Sequence, residues 1–222
     1  MSGIRAAKKR ETRKAILEAA LRLFSEKGFE GTSMEELARA AGVGKGTIYG
    51  YFKAKDDIFL AYCEEEVEYA FQTLAETLDP EAPLLEQLMT LFMSQFDFVT
   101  RNHEFGRLMA REIAFPKEPS PGKSKQLEDR YLQGIGEVLE RAKGRGELKE
   151  GSETFWATGH FYALYLVSLS GWYAGYLQDR REVEAGMRTL LIQALNGLGP
   201  QGKETRPEQD ILDQIRMRFD DV

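Results

Sequence analysis

Apolar side chains recur every third or fourth position along almost the whole chain, and that period predicts one helix after another. Ile16, Leu17, Ala20, Leu23 and Phe24 line one face of a first helix, which Gly28 ends with Lys27 beside the stop. Ser33, Met34, Glu35 and Glu36 carry a capping-box pattern and open a short helix with Met34, Leu37, Ala38 and Ala41 inward. Gly42 closes it, and a second short helix is expected from about 44 to 52. Asp56 or Asp57 then caps a long helix reaching towards Leu78, which Asp79 and Pro80 break. Five further helices are expected over 84–100, 103–115, 124–143, 153–178 and 181–198. Pro116, Pro119 and Pro121 make 116–122 a loop, because prolines so close together cannot sit inside a helix. Residues 200–207 read as a polar linker. Beyond it, Ile211, Leu212, Ile215 and Phe219 share a helical face, so the end is either a frayed tail or a short docked helix.

No alternating β-branched run competes with this pattern, so the fold class is all-α. The chain has 222 residues, enough for a small domain joined to a larger one. It contains no uncharged apolar run long enough to span a bilayer, and its start is basic without an apolar stretch. Its only cysteine is Cys63, which precludes an internal disulfide and suits a reducing compartment. A cytoplasmic protein without membrane contact is therefore expected.

Charge changes the picture. The chain carries a net −6, yet residues 1–55 hold twelve Lys and Arg against six acids. That segment is thus +6 and the remainder −12, a basic front on an acidic body. Such a distribution suits a phosphate-facing end. The bland alternative is chance clustering of surface charge.

The most informative stretch is 33–52. Two short helices meet at Ala41, Gly42, Val43 and Gly44, where Gly42 supplies the left-handed conformation of a sharp turn. Ile48 and Phe52 lie four apart and define the buried face of the second helix. Lys45, Gly46, Thr47, Tyr49 and Gly50 are then left outward. A lysine, a threonine, a tyrosine and bare glycines on one exposed face contribute little to stability. They suit a helix laid into the major groove of double-stranded DNA.

The segments TRKAILEAALRLF (12–24), EKGFEGTS (26–33), ELARAAGVGKGTIYGYF (36–52) and KDDIFL (55–60) together resemble the TetR-family N-terminal domain. The resemblance covers residues 10–60, with the turn glycine and the run from Lys45 to Tyr49 agreeing in spacing. It implies an N-terminal three-helix DNA-binding domain with a helix-turn-helix, followed by a helical ligand-binding and dimerisation domain. The expected organisation is a basic flexible tail at 1–9, the helix-turn-helix domain at 10–55, the ligand-binding and dimerisation domain at 56–199, and a linker with a candidate short helix at 200–222.

The resemblance also implies roles. Thr32 and Ser33 match phosphate-contacting positions of the first motif helix. Lys45, Tyr49, Tyr51 and Lys55 match positions gripping the DNA backbone, and Gly46 and Thr47 match positions near base edges. Ser33 also caps, Tyr51 can equally be part of the core, and Lys55 can equally be a solvated lysine. Gly44 stands where the family often has serine, and Gly50 where it often has histidine or another large side chain. Both departures remove potential contacts, so the operator sequence does not carry over.

The family further implies a homodimer and a small-molecule effector. Residues 155–173 are apolar on nearly all sides, as expected of a helix covered both by its own core and by a partner. Met187, Leu190, Leu191, Ala194 and Leu195 offer a second apolar face. The body is dense in aromatics, which suggests a hydrophobic or aromatic effector. Phe96 and Trp172 are candidate lining residues, with Arg107, Arg111, His160 and Tyr165 as candidate polar anchors. His160 has a second reading as a buried, hydrogen-bonded histidine, and His103 is expected at the surface or as a cap. No metal or cofactor motif is present.

An enzyme is not expected. There is no nucleophile elbow and no pair of catalytic carboxylates. The stretch from Gly42 to Thr47 superficially resembles a phosphate loop but lacks its spacing and a preceding strand. The expected function is a ligand-responsive transcriptional regulator, a repressor released from operator DNA by a largely apolar molecule. The alternative is an architectural or division factor of the same fold without an effector.

Overall fold

The computed structural model describes residues 2–114, 123–149 and 151–198. Among them are nine helices and no strand: α1 (Ser2–Lys27), α2 (Met34–Ala40), α3 (Lys45–Tyr51), α4 (Lys55–Thr77), α5 (Leu84–Thr100), α6 (His103–Ala114), α7 (Lys123–Gly144), α8 (Thr154–Tyr173) and α9 (Arg180–Leu198). They gather into two compact units. The first holds the chain up to Val67 together with the stretch from Phe98 through α6, and the second holds Glu68–Asp97 with α7, α8 and α9.

The core of the first unit is built from the predicted apolar faces. Ile16, Leu17, Ala20, Leu23 and Phe24 of α1 are buried, as are Met34, Leu37 and Ala38 of α2 and Ile48 of α3. The ring of Phe24 lies 5.0 Å from that of Phe29 and 6.0 Å from that of Phe105. Phe105 also meets Phe59 at 5.7 Å and Tyr62 at 4.5 Å. Each such ring adds about 1.5–3 kcal/mol by burial, and each pair about 0.5–1.5 kcal/mol more. This cluster holds α1, α4 and α6 together. Asn102 caps α6 by accepting from the Phe105 N–H at 3.0 Å, and its side chain also meets the Ser25 hydroxyl of α1 at 2.7 Å.

Gly42 ends α2 at φ 67°. Its N–H donates to the Arg39 carbonyl at 3.1 Å, and the Val43 N–H donates to the Ala38 carbonyl at 2.9 Å. This pair of bonds satisfies the last carbonyls of α2 and turns the chain sharply into α3. Asp57 opens α4 by accepting from the backbone N–H groups of Lys53 at 2.9 Å and Ala54 at 3.2 Å. Of the two expected caps, Asp57 therefore fills the role from inside the first turn.

The second unit is an aromatic helical core. Leu88, Phe92 and Phe96 of α5, Ile135 and Leu139 of α7, Phe161 and Tyr165 of α8, and Met187 and Leu191 of α9 are buried. Phe71, at the end of α4, seats its ring on the bare backbone of Gly134, where a Cβ would stand 2.4 Å from the ring. Arg180 makes a two-pronged bond to Asp97 at 2.8 and 3.0 Å, and Arg188 another to Glu86 at 2.8 and 3.2 Å. Partly exposed pairs of this kind add little stability, but two forked contacts fix the register of α9 against α5.

Two elements differ from expectation. α8 stops at Tyr173 rather than near 178, because Gly175 takes φ 81° and passes the Tyr176 N–H back to the Gly171 carbonyl at 3.0 Å. α1 begins at Ser2, so residues 2–9 of the expected tail at 1–9 are helical. Ala6, Ala7, Lys8, Lys9 and Arg10 are strong helix formers with no proline among them. The expected loop at 116–122 and the expected linker and short helix at 200–222 lie outside the described residues.

Candidate nucleic-acid interface

Ser33 sits at the N-cap of α2 with extended backbone. Its hydroxyl accepts from the Glu36 N–H at 3.2 Å, and its own N–H donates to the Glu36 carboxylate at 3.0 Å. The same carboxylate takes the Lys27 ammonium at 2.6 Å. The hydrogen bond from Lys27 and then those from Ser33 hold Glu36 down to about 2. Because the folded value is depressed, the stabilising effect is present above the ordinary carboxylate range and is lost as pH falls towards 2.

Thr32 is not a surface residue. It is buried, and its hydroxyl donates to the Gly28 carbonyl at 2.9 Å and the Leu23 carbonyl at 3.2 Å. Its hydroxyl secures the end of α1, which corrects the expectation that it faces phosphate. Lys55 is half-buried, with its ammonium donating to the Phe29 carbonyl at 2.7 Å and lying 4.7 Å from the Phe29 ring centre. It clasps the turn leading into α2, so it is not the solvated lysine its flanks suggest.

On α3, Ile48 and Phe52 are buried, and the opposite face is open. Lys45, Gly46, Thr47 and Gly50 are exposed, while Tyr49 and Tyr51 are half-buried. A Cβ built on Gly46 or Gly50 meets nothing within 4 Å. The chain's own packing therefore does not require these glycines. Lys45 pairs with Glu35 of α2 at 2.6 Å. That contact raises the lysine's pKa and lowers that of the acid. Sequence reasoning missed Glu35, because the nine positions between it and Lys45 are closed only by the turn at Gly42.

The expected ligand residues fall in both units. Phe96 and Tyr165 are buried in the second unit, where Phe96 meets Trp172 edge-on at 5.4 Å and Tyr165 stacks on Phe92 at 5.4 Å. Tyr131, also buried there, donates its hydroxyl to Gln95. The indole N–H of Trp172 is buried with no acceptor among the described residues. Arg107 and Arg111, by contrast, are exposed on α6 in the first unit. His160 is exposed on α8, not buried as one reading had it. It shares that face with Trp156, Gly159, Ala163, Val167 and Ser170, all exposed. His103 is exposed at the start of α6, as expected. No cluster of three metal-binding side chains occurs among the described residues, and none of the described helices is long and apolar enough to cross a membrane.

Capped α2, the left-handed turn and the open-faced α3 define a helix-turn-helix of the DNA-binding kind. Residues 16–62 match the family model described as bacterial regulatory proteins, tetR family. The chain is 26% identical over 136 residues to the fatty acid metabolism regulator protein of Bacillus subtilis, covering 61% of this chain and 70% of that protein. It is 57% identical over 49 residues to the HTH-type transcriptional regulator AcrR of Shigella flexneri, covering 22% of this chain and 23% of that protein. The fold resembles the crystal structure of the transcriptional regulator FadR from Bacillus subtilis in complex with stearoyl-CoA, with TM-score 0.68 and 22% identity over 83% of this chain and 98% of that one. The family match lies in the N-terminal part of the chain, and the relatives and solved structures that the chain resembles are transcriptional regulators.

Proposed function

We propose that this chain is a ligand-responsive repressor that binds operator DNA as a homodimer and is released by a largely apolar small molecule, of the class of long-chain acyl thioesters. The observation that carries the DNA half is the face of α3. Lys45, Gly46, Thr47 and Gly50 are exposed and Tyr49 is half-buried, and the two glycines are bare for no internal reason. A helix read by the major groove needs such close approach. Ser33, Lys45, Tyr49 and Tyr51 are the proposed backbone contacts, with Gly46 and Thr47 near base edges. Thr32 and Lys55 act from behind, holding the turn that sets where α2 begins.

The effector half is supported by the aromatic core of the second unit and by the relatives, one concerned with fatty acid metabolism and one solved with stearoyl-CoA. Phe96, Tyr165 and Trp172 are the proposed lining, and the buried Trp172 N–H is a donor awaiting a polar group. Arg107, Arg111 and His160 are not included. The test uses a duplex selected from a random pool and follows its fluorescence anisotropy with the bound chain. Stearoyl-CoA should release the duplex, while coenzyme A alone should not. A complex indifferent to both would remove the acyl-thioester reading and favour an architectural factor without an effector.

A further inference from the structure

Glu35 lies outside the capping box of α2, which Ser33 and Glu36 form between them. Its carboxylate instead crosses from α2 to α3 and holds the Lys45 ammonium at 2.6 Å. Both side chains stand largely in solvent. Lys45 is the lysine assigned above to phosphate, so an oxygen anion already occupies its ammonium when DNA is absent.

We propose that Glu35 is an affinity-setting residue of the DNA face, its carboxylate standing in for a phosphate on Lys45 until duplex DNA displaces it. The proposal rests on the reading of α3 as the DNA-facing helix. On binding, Lys45 exchanges one anion for another, so the lysine contributes less than an unpaired lysine would. Glu35, released from the ammonium, takes up a cation from solution in its place. Exposed ion pairs are weak, so the exchange is modest rather than prohibitive. It involves no base, so it lowers affinity for operator and random DNA alike. Glu35 thereby sets absolute affinity and salt dependence, not the ratio between sites.

The test compares wild type, Glu35→Gln, Lys45→Ala and the double variant on a pool-selected duplex and a random-sequence duplex across a salt series. Glu35→Gln should tighten both duplexes by a common factor of about threefold to tenfold. It should also steepen the salt dependence by up to about one counterion. In the Lys45→Ala background the gain should shrink below about twofold, since the acid acts through that lysine. The thermal midpoint should hardly move, because both side chains are exposed. An unchanged or weakened Glu35→Gln affinity would overturn the proposal, as would a full gain surviving in Lys45→Ala. A wild-type chain that binds neither duplex would overturn the DNA-facing reading itself, a result distinct from either.

Discussion

Replacing Val167 by glutamate is expected to leave the chain folded, turn dimers into monomers and weaken binding to a pool-selected duplex about a hundredfold or more. Val167 lies in the middle of α8 with 59% of its surface exposed. Phe155 and Trp156, at the start of that helix, are 75% and 70% exposed. Trp156, Gly159, His160, Ala163, Val167 and Ser170 follow one another at steps of one, three and four, which is a single helical face. Large apolar side chains left in water on such a stripe mark an interaction surface. A twofold interface uses the same patch on both copies, so the new charge enters twice and without a partner. Because Val167 touches solvent in the single chain, the change removes no core contact. Leu190→Glu on α9 is a weaker test, since Leu190 is half-buried and its loss disturbs folding as well. Monomers lose affinity because the second half-site no longer binds at the high local concentration that the first provides. Sedimentation and anisotropy check the two consequences together. A Val167→Glu chain that remains dimeric places the interface elsewhere.

Tyr49→Ala should cost about 1–3 kcal/mol of binding to the selected duplex, the scale of one good contact in such interfaces. Tyr49 is half-buried beside buried Ile48, so its side chain is partly covered by the domain and partly open to a partner. Its carbonyl accepts from the Lys53 ammonium at 3.2 Å, a backbone contact that alanine retains. Folding stability should therefore change by less than about 1 kcal/mol. Lys45→Ala, measured alongside, should weaken binding to every sequence and flatten the salt dependence by less than about one counterion, because Glu35 already offsets part of the lysine's charge. The two variants separate reading a particular site from holding phosphate. If Tyr49→Ala unfolds the domain while the folded fraction binds undiminished, Tyr49 belongs to the core and the face of α3 has been assigned wrongly.

The helical order was legible because each stop signal is local. Gly28 and Gly42 adopt φ 75° and 67°, and Ser33 with Glu36 forms the expected capping box. The end of α8 was misjudged because Gly175 lies inside an apolar run, so the turn it imposes is masked by hydrophobicity continuing to Leu177. On α3, the burial of Ile48 and Phe52 and the openness of Gly46 and Gly50 follow directly from helical spacing. Spacing does not reveal what a polar side chain bonds to. The inward turn of Thr32 depends on the carbonyls of Leu23 and Gly28, and the clasp of Lys55 depends on Phe29, twenty-six positions away. The setting of His160 is hidden for a related reason. An all-apolar helix does not say which of its sides its own chain covers, and in this chain α8 leaves the His160 side open.

Selection from a random pool of duplexes, followed by sedimentation of the recovered complex, bears most directly on the central claim that this chain is a dimeric operator-binding regulator. The account predicts enrichment of an inverted repeat occupied by an even number of chains. Its half-sites should suit two α3 helices about 34–36 Å apart, the span of one turn of DNA. No enrichment over random duplex, or an unsymmetrical site held by a single chain, would contradict it.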